Sequence, residues 1–329
     1  MTPVAKSQVV QALARQVGFD LAGVAPATQS CRAEYYRDWL AAGHGGTMEY
    51  LQRNVPVRLD PAQLLPGARS VICVALNHRR SDGYRRPRTP ATTAPTQPPT
   101  GVIAQYARGR DYHVVLRRML GELVGRLRDQ LAESFETRIC VDTAPVLERE
   151  LAVAAGLGWF GRNTCVLNPE LGSYLFLGEV ITTLELAPGV PLAERCGACR
   201  RCLEACPTGA FIGPFQLSAE KCISYLTVEY RGEIPAELSA GIGDRVFGCD
   251  LCQQVCPYNA RTPPASHPEI AVDILPERVN LLEIIKLRSG SYRRLTRGTA
   301  AARARREMWR RNAAIALANL GRTARGPAT

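Results

Sequence analysis

Eight of the twelve cysteines fall between Cys196 and Cys256, and their spacing is where chemistry is first legible. Cys196-Gly-Ala-Cys199-Arg-Arg-Cys202-Leu-Glu-Ala-Cys206-Pro207 matches the bacterial ferredoxin run C-x2-C-x2-C-x3-C-P. Three closely spaced thiolates wrap one cubane, and the proline after the fourth turns the chain so that Cys206 serves a different cluster. A second cluster is therefore expected. Cys249-Asp-Leu-Cys252-Gln-Gln-Val-Cys256-Pro257 supplies the end of a second run; Val246 stands where its first cysteine belongs, and Cys222 supplies the missing ligand from upstream. The count closes on two 4Fe-4S clusters, one held by Cys196, Cys199, Cys202 and the returning Cys256, the other by Cys206, Cys222, Cys249 and Cys252. A pair of four-cysteine zinc sites is the competing reading, and two C-x3-C-P endings argue against it. Cys31, Cys73, Cys140 and Cys165 lie elsewhere without ligand spacing; Cys73 and Cys140, in strand-like segments, read as buried apolar side chains.

Two such clusters make a relay, and a two-cluster ferredoxin needs only about 60 to 80 residues. The long stretch before Cys196 has room for a separate domain that uses the electrons. With 329 residues, 46% of them hydrophobic, the chain is large enough for two or three modules. Cysteines in a small secreted chain would suggest disulfides, but clustering in a long one points to metal or redox chemistry. No run approaches the roughly 18 apolar residues of a membrane span, and Met1 to Asp20 reads as a short amphipathic helix without the parts of a signal peptide. The expectation is a cytoplasmic protein with no membrane partner, and a monomer, since no heptad pattern is visible.

The net charge of +11 is unevenly placed. From Lys286 to Thr329 twelve Lys or Arg face one acid, Glu307, while 29 bases and 29 acids cancel elsewhere. A polyanion such as nucleic acid suits this tail, because each base that meets a phosphate releases condensed counterions. A solvated basic helix is the plain alternative.

The elements that must position this chemistry are readable in outline. Helical spacing of Val4, Val9, Val10, Leu13 and Val17 predicts an N-terminal helix, and Arg32 to Ala42 a second. Ser70 to Asn77, SVICVALN, reads as a buried strand. The Pro-, Thr- and Arg-rich run 79–101 reads as a mobile surface loop. Asp111 to Ala132 is strongly amphipathic, with Leu116, Leu120, Leu123 and Leu127 on one side. Arg138 to Val141 reads as a strand ending at Asp142, Thr143 to Ala155 as a helix with Pro145 in its first turn, and Tyr174 to Thr183 as a further strand. Pro263 to Pro276 reads as extended, and Ala301 to Leu320 as a helix ending at Gly321. The expected fold is α+β in three parts: an N-terminal α/β catalytic domain over 1–189, a ferredoxin-like two-cluster module over 190–262 and a short basic helical segment over 263–329.

Further blocks accompany the cysteines: Val141-Asp142-Thr143 with Glu148-Arg149-Glu150-Leu151-Ala152, then Gly158-Trp159-Phe160-Gly161-Arg162-Asn163-Thr164, then Gly172-Ser173-Tyr174-Leu175-Phe176-Leu177-Gly178-Glu179. Together they resemble the epoxyqueuosine reductases, cobalamin-dependent iron–sulfur enzymes that complete queuosine at the wobble position of certain tRNA anticodons. The resemblance covers most of residues 1 to 320. It implies reduction of an epoxide to a cyclopentene with loss of water, electrons passing singly through the clusters to cobalamin, and an external low-potential electron donor. It implies Asp142 as proton donor, a role that asks for a raised pKa; without the resemblance, Asp142 reads as a helix cap. Arg58, Val166, Leu177 and Ser224 are the implied lining of the cobalamin pocket. Asp111-Tyr112-His113 carries only half of the D-x-H-x-x-G cobalamin motif, with Leu116 in place of the glycine, so His113 reads as an ordinary helix residue. The tail resembles the HEAT-like helices that end many members, and a lone unit must pack on the cluster module. Arg231, Arg310 and Arg311 are the expected tRNA contacts. Two other readings are an electron-transfer subunit for a partner protein and a reductive dehalogenase-like enzyme.

Overall fold

The computed structural model describes residues 1–81 and 98–324. Ser70–Asn77 is buried at every position, as an uncharged, β-branched run should be when both its faces are covered. It is an inner strand of a four-stranded sheet, flanked by Leu21–Pro26 and Leu175–Thr182, with Thr137–Cys140 beyond the latter. All three pairings are antiparallel. The N-terminal part is therefore antiparallel α+β and not the α/β arrangement expected from strand–helix alternation. The excursion after Pro26 returns at Ser70, its direct partner, so the chain re-enters at the end it left and needs no crossover.

Alternation along the strands divides two apolar layers. On one face Ile72, Val74, Leu76 and Val180 meet Val10 and Leu13 of the Pro3–Val17 helix and Leu116, Leu120 and Leu123 of the Tyr112–Gln130 helix. On the other, Val71, Cys73, Ala75, Cys140 and Ile181 meet Leu151 and Ala152 of the Glu148–Ala154 helix. Cys73 and Cys140 are thus buried in an apolar layer.

A second sheet crosses the expected domain boundaries. Thr100–Ile103 pairs in parallel with Arg245–Phe247 and antiparallel with Arg278–Asn280. One strand from within 1–189 therefore belongs to the same layer as strands from the two later segments. Over this layer lies the Arg306–Ala324 helix, whose Trp309, Ala313 and Ala316 pack with Val246, Phe247, Leu281 and Ile284.

Several boundaries differ from expectation. The loop expected over 79–101 is shorter at both ends: Arg79 and Arg80 are buried, and Thr100 and Gly101 are in the strand; 82–97 lie outside the described residues. The C-terminal helix begins at Arg306 after a 3-10 turn over Ala300–Arg303 and runs through Gly321, where no neighbouring atom crowds the backbone. The run from Pro263 to Pro276 contains a short helix, Pro268–Ala271. No described helix is long and apolar enough to cross a membrane.

Candidate active site and thiol cages

Asp142 follows the Thr137–Cys140 strand at a turn where its backbone is left-handed, with φ of 52°, a conformation that aspartate tolerates better than most residues. The Thr143 N–H donates to the Val141 carbonyl at 2.6 Å, and the Asp142 N–H donates to the Glu148 carboxylate. The helix expected from Thr143 consequently starts only at Glu148, and Pro145 stands in the turn before it.

Across this turn lies the start of the Tyr112–Gln130 helix. Asp142 Oδ2 is 3.0 Å from His113 Nε2, and His113 Nδ1 is 2.6 Å from Asp111 Oδ1. Asp111 also caps the helix, accepting the His113 N–H at 3.0 Å. His113, read from the sequence as an ordinary helix residue, is instead an imidazole bridging two carboxylates. Burial opposes its charge, but hydrogen bonds with Asp111 and Asp142 outweigh this and raise its pKa to about 9. Burial also pushes the Asp142 carboxyl upward; the hydrogen bond and charge of His113, joined by Tyr112 and Arg303, bring it below the ordinary value instead. This corrects the expectation of a raised pKa at Asp142. At neutral pH the proton of the pair is held on His113.

A cavity of about 370 Å³ opens nearby, lined by Met48, Tyr50, Glu229, Tyr230, Arg231 and Arg303 among others. Arg303 binds Glu229 through Nε and one terminal nitrogen, at 2.8 and 2.7 Å, and lies 5.7 Å from the centre of the Tyr50 ring. The Asp142 charge acts on both Tyr50 and Arg303, so the cavity and the Asp142–His113 pair form one electrostatic site.

The residues implied for cobalamin are only partly together. Val166 and Leu177 belong to the apolar layer around the Glu148–Ala154 helix, and Arg58 donates to the carbonyl of Val146 in that layer at 3.3 Å. Ser224 stands on the Ile223–Val228 helix that follows Cys222. The half-buried Leu175 and Leu177 offer an apolar floor, and the buried Arg58 Nε has no partner among the described residues. Both features fit a flat corrin with polar side arms. His113, with both ring nitrogens engaged, is no lower ligand for it.

Of the expected tRNA contacts, Arg231 and Arg310 are exposed. Arg311 is a correction. Its guanidinium donates to the carbonyls of Leu226, Tyr230 and Gly232, bracing the C-terminal helix against the cysteine module. A side chain committed to three carbonyls has little left for a phosphate.

Cys196, Cys199, Cys202 and Cys256 line a single cavity of about 270 Å³. Burial, with the neighbouring Cys196 and Cys199, pushes the Cys202 thiol up to about 11; burial and the neighbouring Cys196 and Cys202 do the same for Cys256. In the other group, Cys222 faces Cys206, Cys249 faces Cys222, and Cys252 faces both Cys249 and Cys222. Burial pushes Cys249 up to about 12. Such thiols must lose protons to a metal on binding. Among the described residues, no three His, Cys, Asp or Glu side chains converge as a single-ion site. Cys165, which no spacing singled out, lies beside Cys252, and each thiol shifts the proton affinity of the other. Its place depends on the turn of the 158–167 hairpin, where Trp159–Phe160 pairs with Val166–Leu167.

The glycine-led blocks explain how cages and sheet are joined. Gly172 has φ of 64°, and a Cβ there would lie 1.9 Å from Asn259 Oδ1. The bare backbone lets Ser173 N–H reach Asn259 Oδ1 at 2.8 Å, while Ser173 Oγ bonds Gln253 and Asn259 at 2.9 Å. These contacts tie the end of the cysteine module to the start of Leu175–Thr182.

Fold and cages define a class: an iron–sulfur oxidoreductase in which a cysteine module is built onto a separate antiparallel α+β unit. The family described as 4Fe-4S double cluster binding domain matches residues 195–259, and that described as epoxyqueuosine reductase QueG, DUF1730, matches residues 58–143. The epoxyqueuosine reductase of Pseudomonas aeruginosa is 38% identical over 318 residues, covering 96% of this chain and 86% of that protein; that of Escherichia coli is 36% identical over 315 residues, covering 95% and 81%. A solved epoxyqueuosine reductase with an epoxyqueuosine-modified tRNA-Tyr stem loop superposes with a TM-score of 0.84 at 31% identity, covering 95% of this chain and 81% of that one. Another, from Bacillus subtilis, has its catalytic aspartate loop swung out of the active site; it superposes at 0.83 with 31% identity, over 95% and 81% of the two chains. The chain belongs to the epoxyqueuosine reductase family.

Proposed function

We propose that this chain reduces epoxyqueuosine to queuosine at the wobble position of tRNA anticodons. The observation that carries the reading is the Asp142–His113 pair beside the Tyr50–Arg303 cavity, in a molecule that also holds two groups of four thiols. The reaction takes up two electrons and two protons, and the epoxide oxygen leaves as water. The two cysteine groups would hold two 4Fe-4S clusters, which would supply electrons singly from an external low-potential donor. Arg58, Val166, Leu177 and Ser224 are the residues that would hold cobalamin, which would supply the reducing power needed at the epoxide carbon.

The chain's own residues manage the proton. His113, charged below about pH 9, donates a hydrogen bond to the Asp142 carboxylate. Negative charge developing on the epoxide oxygen draws that proton through Asp142 to the leaving oxygen, so Asp142 is the proton donor and His113 its source. Tyr50 and the Arg303–Glu229 pair present an aromatic face and a planar cation to a base taken out of its stack. Exposed bases Arg231, Arg288, Arg293, Arg294, Arg297 and Arg310 supply phosphate contacts. The packing of the C-terminal helix on the second sheet supports a HEAT-like end, and we read the protein as a cytoplasmic monomer.

The test is anaerobic reconstitution with iron, sulfide and cobalamin, followed by single-turnover reduction of epoxyqueuosine-bearing tRNA with Asp142→Asn beside the parent. Queuosine from the parent and none from a variant that still loads both cofactors is the expected result. Clusters without cobalamin binding or product would return the chain to an electron-carrier role.

A further inference from the structure

Directly behind Asp142 lie two acids that the reaction as described does not use. Glu179, on the Leu175–Thr182 strand, is fully buried, with Cys73 and Cys140 as its register partners on the flanking strands. Apart from the Glu148 carboxyl that faces it, no donor among the described residues reaches either of its oxygens. Glu148, at the start of its helix, faces Glu179 on one side and accepts the Asp142 N–H on the other. The other charged or titratable groups around the two are Asp142 from the turn, Arg149 from the helix, and His113 and Tyr112 from across the site. Arg149 directs its guanidinium to the carbonyl and hydroxyl of Thr164. Among the described residues, neither carboxyl takes part in an ion pair.

We propose that Glu148 and Glu179 form a proton-sharing latch that holds the Asp142 turn in its reactive position. This rests on the reading of Asp142 as the acid of the reaction. Two carboxyls buried together cannot both ionise, so they keep one proton between them. The remaining negative charge makes Glu148 a strong acceptor for the Asp142 N–H, and that bond holds the left-handed turn in one position. Binding of a second proton makes Glu148 neutral, weakens the bond and frees the turn to leave His113. Burial and the Asp142 charge raise Glu148 to about 7, so this second proton binds in the range where the enzyme works. The turn is latched above about pH 7 and released as pH falls through it.

The test follows hydrogen exchange of residues 141–147 and the single-turnover rate, on both sides of pH 7, in the fully loaded protein. In the parent, protection of the turn, taken relative to the intrinsic exchange rate at each pH, is lost and the turnover rate falls as pH drops through about 7. Glu148→Gln keeps an oxygen acceptor without charge; its turn exchanges fast at every pH, its acid limb disappears, and its rate above pH 7 is lower by about tenfold or more. Glu179→Gln removes the shared proton and gives Glu148 an N–H donor, so the acid limb and the onset of exchange move to lower pH. Glu148→Asp keeps the charge with a shorter reach and replaces Glu179→Gln should that variant lack its cluster absorption; it retains an acid limb with faster exchange. A Glu148→Gln turn as protected as the parent's, or an acid limb that none of these variants moves, overturns the latch. Asp142→Asn separates the two ideas: normal turnover by that variant removes the acid reading, while the exchange data still judge the latch by themselves.

Discussion

The smallest unit with a chemical consequence is the Asp111–His113–Asp142 series, where one imidazole lies between two carboxylates. Its pH dependence has a definite sign. His113 has a raised pKa, so the stability its partners lend is complete below the unfolded value of 6.5 and is lost as pH rises through about 9. Asp142 has a lowered pKa, so its share is present above the ordinary carboxylate value and fades only as acid reaches the lowered one. Turnover should therefore fall as pH rises through about 9. His113→Asn should lower the single-turnover rate by roughly a hundredfold, the usual scale for a lost proton-transfer partner, and should abolish the alkaline limb. A limb that persists near 9 in that variant would assign it to another group.

At the scale of elements, the joint at Gly172 determines how the cages sit on the sheet. The left-handed backbone costs about 1–2 kcal/mol for any residue with a Cβ, and overpacking adds about 1–3 kcal/mol. Gly172→Ala displaces Asn259, which holds Ser173 and stands three residues after Cys256. We expect a loss of roughly 3 kcal/mol in denaturant titration, together with weaker retention of the cluster that includes Cys256. A variant with parental stability and full iron content would show that the joint yields without cost.

For the whole molecule, the two ends of the chain differ in what holds them. The four-stranded sheet has continuous apolar layers on both faces, whereas around the clusters the apolar groups are small and include cluster cysteines, with only Val228, Val246 and Phe247 of the module joining the core of the second sheet. Metal ligation is then a large share of that module's folding energy. Removing iron with an anaerobic chelator should make 190–262 sensitive to protease while leaving the N-terminal sheet resistant. Uniform resistance after iron loss would mean that the module is held by its contacts with the two sheets.

Patterns between near neighbours were legible in the sequence. Ser70–Asn77 and the 112–130 helix followed from residue type at strand and helix spacing, and the eight cysteines with their two prolines announced iron–sulfur chemistry. The helix expected after Asp142 failed for a local reason with a distant cause: a left-handed aspartate, held by Glu148 and His113, replaces the first helical turn. Arg311 likewise reads as one more basic residue until its three carbonyl acceptors, some 80 positions away in sequence, are in place. Residue types at short spacing were enough for most of the elements and for the redox class, whereas Asp142 entered as the candidate acid only through the family resemblance. The antiparallel strand order, the pairing of His113 with Asp142, the burial of Glu179 against Glu148 and the place of Cys165 beside Cys252 emerge only once the chain is folded. Each of those depends on which surfaces meet across long stretches of chain, and burial and charge at such a meeting set the proton affinities on which the chemistry depends.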